Sequence, residues 1–512
     1  MAVLSYEEVM AMQRKFYNSG ATRPLEFRKK QLRKLRRLIE EERELIEKAV
    51  YKDLRRNPGI TNYLEIGPSL TEIDHFLENL DKWAKPEKVA KTVATMLDTP
   101  MVVSEPYGVV FVITTWNFPA LMYFYPMICV LAAGNTMIIK GSELSEATTN
   151  YLAKLINNLF PPEYVTVFTG GPEVSTELLK LPFDKIMYTG NPPVGRIVME
   201  AAAKHLTPVV LELGGKCPVV VVNDADIKIT AKRIIWAKFT NAGQICITVD
   251  YVIVTADVAD QLIEEMKHFL TEFYGENPQK SADYGRIINQ RHFDRLKSLL
   301  DKTLGKVHAS PGHADRADLY IPPTIVEVEA FDILMSDEIF GPILPVLVVK
   351  SYEDALQYIK SAPPPLAAYV FSKNQKKTDK FIAQIQCGSI VVNDLLLQYG
   401  LDTLPFGGFG TAGMGVYRGK HGFDEFSHKK SVLQRGFFGD QIAAARYPPY
   451  TEKKFKQLAF LSKRRNYPPA FCKYLRPSFF GILLGVLLTL LIQKLVSSYH
   501  ISFPLWSNAS SI

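Results

Sequence analysis

The fold class of this 512-residue chain is decided by the stretch Val109-Val110-Phe111-Val112-Ile113-Thr114-Thr115-Trp116-Asn117-Phe118-Pro119. Its first five residues are all apolar, which favours a buried strand, and the apolar run Ala120–Ala133 behind them favours a helix. The same alternation continues to residue 218, with further strands predicted at 136–139, 164–168, 185–188 and 207–213. Strands that alternate with helices are typical of a parallel sheet covered on both faces. The sequence therefore predicts an α/β fold.

Polar residues and glycines stand at the ends of these predicted strands. Asn117 follows the first strand, Lys140 and Glu143 follow the second, and Gly190 follows the strand 185–188. In open parallel sheets, ligands bind beyond the carboxyl ends of the strands. We therefore expect these four residues to lie at a ligand site.

A second α/β region follows, with strands predicted at 219–222, 251–255, 342–349, 367–371 and 389–392 and helices at 227–239, 260–273 and 291–302. Two such regions in succession predict two lobes with a cleft between them. Ahead of both, Phe27–Val50 is predicted as one amphipathic helix. The Gly-rich stretch Pro405–Gly415 permits tight turns. It either cradles a ligand or links the lobes, and the residues alone leave both open.

Cys246 lies in Asn241–Asp250, between the helix and the strand predicted on either side. A thiol is a nucleophile only as thiolate, so a reactive cysteine needs a lowered pKa or a nearby base. Taken alone, a cysteine of this kind is more often a small buried hydrophobic residue. Its functional interpretation depends on the motifs elsewhere in the chain.

The composition, 47% hydrophobic and 22% charged, is that of a globular protein with more than one domain. Five scattered cysteines without a C-x-x-C pair indicate no disulfide framework and no metal site, and they favour a reducing compartment. The net charge of +7 is too small and too concentrated near the C-terminus for a nucleic-acid binder. No secretory signal is expected, because Met1–Gly20 carries charges where an apolar core would be needed.

Near the C-terminus, a basic linker, residues 436–476, precedes an uncharged apolar run, Pro477–Ile492. Lys494 can extend towards the interface, so the run can reach Val496 and approach the about 20 residues that span a bilayer. A buried core helix is the alternative, but the basic residues in front favour a transmembrane anchor at 477–496. Positive residues stay on the cytosolic side, which places the body of the protein in the cytosol.

Five short motifs occur in order: Trp116-Asn117-Phe118-Pro119, Leu211-Glu212-Leu213-Gly214-Gly215-Lys216, Gly243-Gln244-Ile245-Cys246, Glu338-Ile339-Phe340-Gly341-Pro342 and Pro405-Phe406-Gly407-Gly408. Together they resemble the aldehyde dehydrogenase superfamily. Further matches resemble its class 3 branch: Tyr188-Thr189-Gly190-Asn191, Ala201–Pro208 and Gly419–Asp424. With its apolar tail the chain is most similar to the membrane-bound enzymes of that branch, which oxidise fatty aldehydes.

The resemblance implies three catalytic residues. Cys246 is expected to attack the aldehyde carbonyl, and the Asn117 amide with the Cys246 backbone N–H to hold the developing oxyanion. Glu212 is expected to activate the water that hydrolyses the thioester, and it also helps deprotonate the thiol. For Glu212 alone, a structural acid in an ion pair would be the commoner explanation.

The resemblance also implies NAD as cofactor, with NADP as the alternative. Its binding residues are expected to be Lys140, Glu143, Thr189, Gly190, Gly195, Glu338 and Phe340, with Asn393 and Phe406 as weaker candidates. The pyrophosphate is expected at the helix after Gly190, where free N–H groups suit an anion. Gly141 departs from the family, which usually has proline there.

The implied fold is a Rossmann-like NAD-binding domain, residues 1–85 and 105–211, and an α/β catalytic domain, residues 212–396. Bridging or oligomerisation segments, 86–104 and 397–435, imply a homodimer. The expected partners are a long-chain aldehyde and a membrane, that of the endoplasmic reticulum or another intracellular membrane, and no nucleic acid.

Three alternatives remain. The first is an aldehyde dehydrogenase of medium-chain or aromatic aldehydes. The second is a relative that passes the thioester to coenzyme A, a reaction with no need for Glu212. The third is a catalytically silent, membrane-tethered structural protein on this fold.

Overall fold

The computed structural model describes residues 4–92, 95, 97–438, 440–462 and 485–490. It divides into two compact units, one formed by the described residues of 1–89 and 101–432 and the other by those of 90–100 and 433–512. The first unit contains both large sheets and all the predicted catalytic and cofactor-binding residues.

The helices are α1 (Tyr6–Asn18), α2 (Leu25–Glu41), α3 (Arg43–Leu54), α4 (Pro58–Thr61), α5 (Gly67–Trp83), α6 (Leu121–Ala133), α7 (Glu146–Leu159), α8 (Pro172–Leu178), α9 (Pro192–Ala203), α10 (Ile227–Phe239), α11 (Ala259–Tyr274), α12 (Gln290–Lys302), α13 (Tyr352–Ser361), α14 (Gln375–Gln384), α15 (Gly419–Glu425) and α16 (Glu452–Ser462). The strands are β1 (Glu87–Lys88), β2 (Thr99–Pro106), β3 (Val109–Ile113), β4 (Thr136–Lys140), β5 (Val165–Phe168), β6 (Lys185–Gly190), β7 (Val209–Leu213), β8 (Pro218–Val221), β9 (Tyr251–Thr255), β10 (Lys306–Ala309), β11 (Thr324–Val328), β12 (Ile343–Val349), β13 (Ala367–Phe371), β14 (Ser389–Val392), β15 (Gly413–Met414) and β16 (Ser427–Gln434).

The first large sheet has the strand order β15-β7-β6-β3-β4-β5. The strands β3 to β7 pair in parallel, and β15 joins antiparallel at the edge of β7. The order reverses between β3 and β6, which is the switch point of a doubly wound Rossmann-like sheet. The predicted parallel α/β region is confirmed, and its switch point directs ligands to the carboxyl ends of β3 and β6.

The second large sheet has the order β10-β11-β12-β9-β8-β13-β14, parallel except for β10 against β11. A small sheet, β1-β2-β16, uses residues from both predicted bridging segments. The predicted boundary between residues 211 and 212 falls inside β7. The assignment of these regions to an NAD-binding, a catalytic and a bridging domain stays a prediction.

Burial explains why β3 and α6 form the centre of the first sheet and its cover. Each residue of β3 and of α6 is buried, as expected for an apolar strand and for a helix that is apolar on all sides. Gly134 ends α6 with a left-handed backbone, φ 95°, which glycine adopts without steric cost. The chain can then turn directly into β4.

The predicted helix Phe27–Val50 is wrong as a single element. The structure breaks it into α2 and α3 at Glu42, whose φ of −97° and ψ of 7° are not helical. The Glu42 carboxylate accepts a hydrogen bond from the Tyr151 hydroxyl of α7. Apolar spacing is alike on both sides of the break, so the sequence pattern carries no sign of this tertiary contact.

Most of the predicted transmembrane anchor, 477–496, lies outside the described residues, which include only 485–490 of it. Those six residues are helical. In the described part of the chain, no helix combines the length and apolar character needed to cross a membrane.

Candidate active site

A cavity of about 1000 Å³ opens beyond the carboxyl ends of β3, β4, β6 and β7. It is lined by Asn117, Lys140, Glu143, Thr189, Gly190, Glu212, Cys246, Glu338 and Phe340, among other residues. These are the predicted site residues with the exception of Gly195. Residues from positions 117 to 340 of the chain therefore meet at one site within the first unit.

The turn before Cys246 is fixed by a strained backbone and by Gln244. Asn241 and Ala242 have left-handed conformations, with φ of 54° and 50°, which are uncommon for residues other than glycine. The Gln244 side chain donates to Asn241 O at 3.0 Å and to Arg286 O at 2.9 Å, and it accepts from Ile288 N at 3.1 Å. Cys246 is thus held half-buried at the wall of the cavity.

Asn117 is joined directly to the turn that carries Cys246. Its side-chain nitrogen donates to Gln244 O at 3.0 Å, and its carbonyl accepts from Asn241 Nδ2, also at 3.0 Å. An amide nitrogen carries two N–H groups, so one stays available for an oxygen atom in the cavity. The arrangement suits a donor for an oxyanion beside Cys246.

The pKa values of the Cys246 thiol and the Glu212 carboxyl are both raised above their ordinary values in water. Burial raises the pKa of the Cys246 thiol, and the carboxyls of Glu338 and Glu212 raise it further. Burial also raises the pKa of Glu212 well above its ordinary value, with a smaller contribution from Glu425. Neither Glu212 carboxyl oxygen has a hydrogen-bond partner among the described residues. Such an acid is suited to bind and activate a polar reactant rather than to stabilise the fold.

Glu338 lies against the backbone of the Gly214-Gly215 turn. A Cβ atom on Gly214 would stand 1.9 Å from Glu338 Oε2, so only glycine leaves room for this carboxyl. Burial raises the pKa of Glu338 to about 8, and repulsion from Asp250 acts in the same direction. Phe340, with φ 49°, meets the Trp116 ring edge-on at 5.3 Å between centroids.

Lys140 and Glu143 form an ion pair at the end of β4, with 2.6 Å between Nζ and Oε2. Ser142 caps the short turn Glu143–Ser145 that follows, because its hydroxyl accepts a hydrogen bond from Leu144 N. Gly141 donates its N–H to Phe168 O at 3.0 Å, a bond that the proline usual in the family lacks. The departure at Gly141 therefore adds a hydrogen bond between this turn and β5.

The helix α9 begins at the cavity, but the expected free N–H groups are not there. Its first two residues, Pro192 and Pro193, carry no N–H, and Val194 N donates to the capping side chain of Asn191 at 3.0 Å. That expectation is wrong, and only the positive end of the helix dipole remains to attract a pyrophosphate. Gly195 lies in α9 and faces Leu213, whose Cδ2 would be 2.8 Å from an added Cβ. It permits the helix to approach β7 and does not line the cavity.

The sequence missed several residues of the cavity wall, including Leu64, His292, Arg295, Leu396, Tyr399 and Tyr417. Leu64, His292 and Arg295 stand in helical segments and the others in loops or a short 3-10 turn, and none belongs to a recognisable motif. Of the two weaker candidates, Phe406 lines the cavity, and its backbone pairs with that of Tyr417. Asn393 instead bonds the backbone of Ser372 through its side chain, so it shapes the end of β13 rather than the site.

Comparison with known proteins agrees with this geometry. A profile described as "Aldehyde dehydrogenase family" matches residues 5–432. The chain belongs to the aldehyde dehydrogenase family. It is similar to "Aldehyde dehydrogenase, dimeric NADP-preferring" of Canis lupus familiaris, with 45% identity over 447 residues, 87% of this chain and 98% of that protein. It is also similar to "Aldehyde dehydrogenase family 3 member A2" of Pongo abelii, with 44% identity over 455 residues, 88% of this chain and 93% of the relative.

Solved structures support the same conclusion about this aldehyde dehydrogenase. A structure described as "Substrate bound state of Staphylococcus Aureus AldH" superposes with a TM-score of 0.87 at 39% sequence identity. The match covers 90% of this chain and 100% of the chain in that structure. The resemblance to the aldehyde dehydrogenases, and to the class 3 branch within them, is confirmed. The enzyme is an aldehyde dehydrogenase, and the family uses NAD(P).

Proposed function

We propose that this aldehyde dehydrogenase oxidises long-chain aliphatic aldehydes to fatty acids. The observation that carries the proposal is the apolar share of the cavity wall beside Cys246, which includes Leu64, Leu121, Met122, Leu366, Leu396 and Phe406. Such a wall suits an alkyl chain, whose transfer from water is favourable by about 0.8 kcal/mol for each CH₂ buried. The apolar run at 477–496 supports the same substrate class, because long-chain aldehydes partition into lipid.

In the first step Cys246 Sγ attacks the aldehyde carbonyl and forms a thiohemiacetal. The proton of the thiol leaves to solvent, either directly or by way of Glu212, which releases it again before the hydrolysis step. Asn117 Nδ2 and the Cys246 backbone N–H then hold the oxygen atom on which negative charge develops. Preorganised donors of this kind contribute about 3 kcal/mol or more each to stabilising a transition state.

A bound NAD(P) would supply the hydride acceptor, and loss of hydride from the thiohemiacetal would leave the substrate as a thioester on Cys246. Glu212 next removes a proton from a water molecule, which attacks the thioester carbonyl. The carbon–sulfur bond breaks, the fatty acid leaves, and the Cys246 sulfur regains a proton. The unpaired carboxyl oxygens of Glu212 support its assignment as this base.

The residues around the cavity suit a dinucleotide, because its lining combines the carboxyls of Glu143 and Glu338, which accept hydrogen bonds from ribose hydroxyls, with the cation of Lys140. We assign Lys140 and Glu143 to the adenosine ribose, Thr189 and Gly190 to the pyrophosphate region, and Glu338 and Phe340 to the nicotinamide ribose and ring. A carboxylate at Glu143 accepts from a ribose hydroxyl and repels a phosphate, which favours NAD. NADP is the alternative, because the canine relative is named NADP-preferring.

The proposal extends to assembly and location. That relative is named dimeric, and we propose a homodimer for this enzyme through segments 86–104 and 397–435. We further propose that residues 477–496 anchor it in the endoplasmic reticulum or another intracellular membrane, with its catalytic body in the cytosol.

The test follows NADH formation by absorbance with hexadecanal and NAD, in wild type and in Cys246→Ser. Wild type is expected to be active without coenzyme A and the variant inactive, because a hydroxyl is a far weaker nucleophile than a thiolate. Higher kcat/KM for hexanal or benzaldehyde than for hexadecanal would favour the medium-chain or aromatic alternative. A requirement for coenzyme A, or no activity with any aldehyde and either cofactor, would contradict the proposal.

A further inference from the structure

Lys216 and Asp250 form a mostly buried ion pair behind the active site. Lys216 Nζ lies 2.6 Å from Asp250 Oδ2, and the two side chains are 17% and 4% exposed. Lys216 follows Glu212 by four positions, and Asp250 follows Cys246 by four. Neither residue lines the cavity, yet the pair links the ends of two segments that carry active-site residues.

The same pair holds a third segment, the loop that carries Glu338. Lys216 Nζ donates to the carbonyl oxygens of Leu334 at 2.7 Å and of Asp337 at 3.0 Å. The Ile339 N–H donates to Asp250 Oδ1 at 3.1 Å. Bonds to one ion pair therefore hold the peptide groups on both sides of Glu338.

The loop needs such support because Phe340 has a left-handed backbone, which costs about 1–3 kcal/mol unless its surroundings impose it. Arg295 Nη2 adds a bond to Ile339 O at 2.6 Å. Lys238 Nζ lies 4.0 Å from Asp250 Oδ1, without a hydrogen-bond partner among the described residues. The bonds that hold the loop at Asp337 and at the Ile339 N–H therefore come from Lys216 and Asp250.

We propose that Lys216 and Asp250 are positioning residues that fix Glu338 and Phe340 at the nicotinamide end of the cavity and thereby set the affinity for NAD. The inference rests on the proposed role of Glu338 in cofactor binding. A purely structural pair would stabilise the fold and would affect every function of the site equally. A positioning pair affects NAD binding and leaves Cys246, Asn117 and Glu212 competent.

The test compares two properties of the full-length enzyme. NAD binding is expected to need Glu338, whereas ester hydrolysis without NAD is not. NAD binding is measured by isothermal titration calorimetry. Hydrolysis of p-nitrophenyl acetate without NAD reports on Cys246: the thiol forms an acetyl thioester, nitrophenolate leaves, and water releases acetate. The variants are Asp250→Asn and Lys216→Met. As the control, Asp224→Asn breaks the pair with Lys377, 3.1 Å apart and outside the cavity.

Both variants are expected to weaken NAD binding about tenfold or more, which is the size expected for the loss of hydrogen bonds to charged groups. They are expected to change the rate of ester hydrolysis less than about twofold. The control is expected to change neither. Equal losses in both measurements, or no loss of NAD affinity, would overturn the inference. If Asp250→Asn does not fold, the result for Lys216→Met alone tests the inference. In Lys216→Met the Asp250 carboxylate still accepts the Ile339 N–H, so part of the support for the loop remains.

Glu338→Ala separates this inference from the proposed role of Glu338 itself. In that variant, adding Asp250→Asn is expected to cost less than about twofold in NAD affinity, because the group it positions is gone. A further tenfold loss there would contradict the positioning role. If Glu338→Ala alone leaves NAD affinity unchanged, the proposed role of Glu338 fails.

Discussion

Glu212 is a buried carboxyl whose two oxygens have no hydrogen-bond partner among the described residues, and its removal is expected to separate the two halves of the reaction. We expect Glu212→Gln to retain a burst of about one NADH per active site and to slow steady turnover about 10²–10⁴-fold, because thioester hydrolysis loses its base. Rapid-mixing absorbance measures both phases. Glu264→Gln, on the exposed face of α11, is the matched control. Loss of the burst amplitude would show that Glu212 is needed before hydride transfer.

Glu338 gives a prediction about stability and pH. Its pKa is raised from 4.5 to about 8, so the folded protein binds a proton there that the unfolded chain releases above pH 4.5. The free energy of unfolding therefore includes the whole contribution of Glu338 below pH 4.5. It falls by up to about 5 kcal/mol as the pH rises from 4.5 to about 8.

Glu338→Gln cannot ionise, so its free energy of unfolding is expected to fall less than that of wild type between pH 5 and 8. Urea denaturation at several pH values measures the difference, and other titrating groups cancel in it. Parallel curves for the two proteins would contradict the raised pKa.

At this scale the motifs predicted which groups line the cavity but not the residues around them. Cys246, Glu212 and Asn117 were predicted because each stands in a short, ordered motif, and all three line the cavity. Tyr399, Tyr417 and Leu64 reach the same cavity from distant parts of the chain, and no local pattern marks them. Gly195 was also predicted from a motif, but it packs α9 against β7 and does not line the cavity.

Among the elements, the short strand β15 supports Glu212. Gly413 pairs with Glu212 across β15 and β7, and a Cβ on it would stand 2.0 Å from Leu211 O. The end of the Gly-rich stretch is therefore an edge strand behind the active site, while Phe406, near its start, lines the cavity.

Gly413→Ala is expected to lower the free energy of unfolding by about 1–3 kcal/mol, because φ is 135° and the clash is with backbone. It is also expected to lower kcat, because β7 must move. Thermal melting and steady-state kinetics measure these effects. Gly400→Ala, whose Cβ would meet nothing within 4 Å, serves as the control. Equal behaviour of the two variants would remove β15 as a support.

Strands were easier to predict than the ends and breaks of helices. The predicted strands are found within two residues of their expected bounds, because buried parallel strands are short apolar runs. The break at Glu42 and the proline-blocked start of α9 depend on contacts and on backbone chemistry that periodicity does not report. β10 and β11 were missed, and the exposed residues of β10 show why an edge strand lacks an apolar pattern.

For the whole molecule, the alternation of apolar strands and helices predicted the two-sheet architecture, whereas the arrangement of two copies and of the tail depends on surfaces that one sequence does not reveal. The proposed anchor has a direct test. A chain ending at residue 476 is expected to stay in solution when mixed with phospholipid vesicles, whereas the full chain sediments with them, because about 20 apolar residues insert stably.

The truncated enzyme is expected to oxidise hexanal at the rate of the full chain and to oxidise vesicle-borne hexadecanal at least about tenfold more slowly, because it no longer stays at the lipid surface. NADH formation measures both substrates. Equal rates with vesicle-borne hexadecanal would show that the tail has no part in substrate delivery.

The raised pKa of the Cys246 thiol also bears on its reactivity towards oxidants. Peroxides and electrophiles modify thiolates far faster than thiols. Burial beside two carboxyls raises that pKa. We therefore expect hydrogen peroxide to oxidise Cys246 more slowly than an exposed, free cysteine thiol.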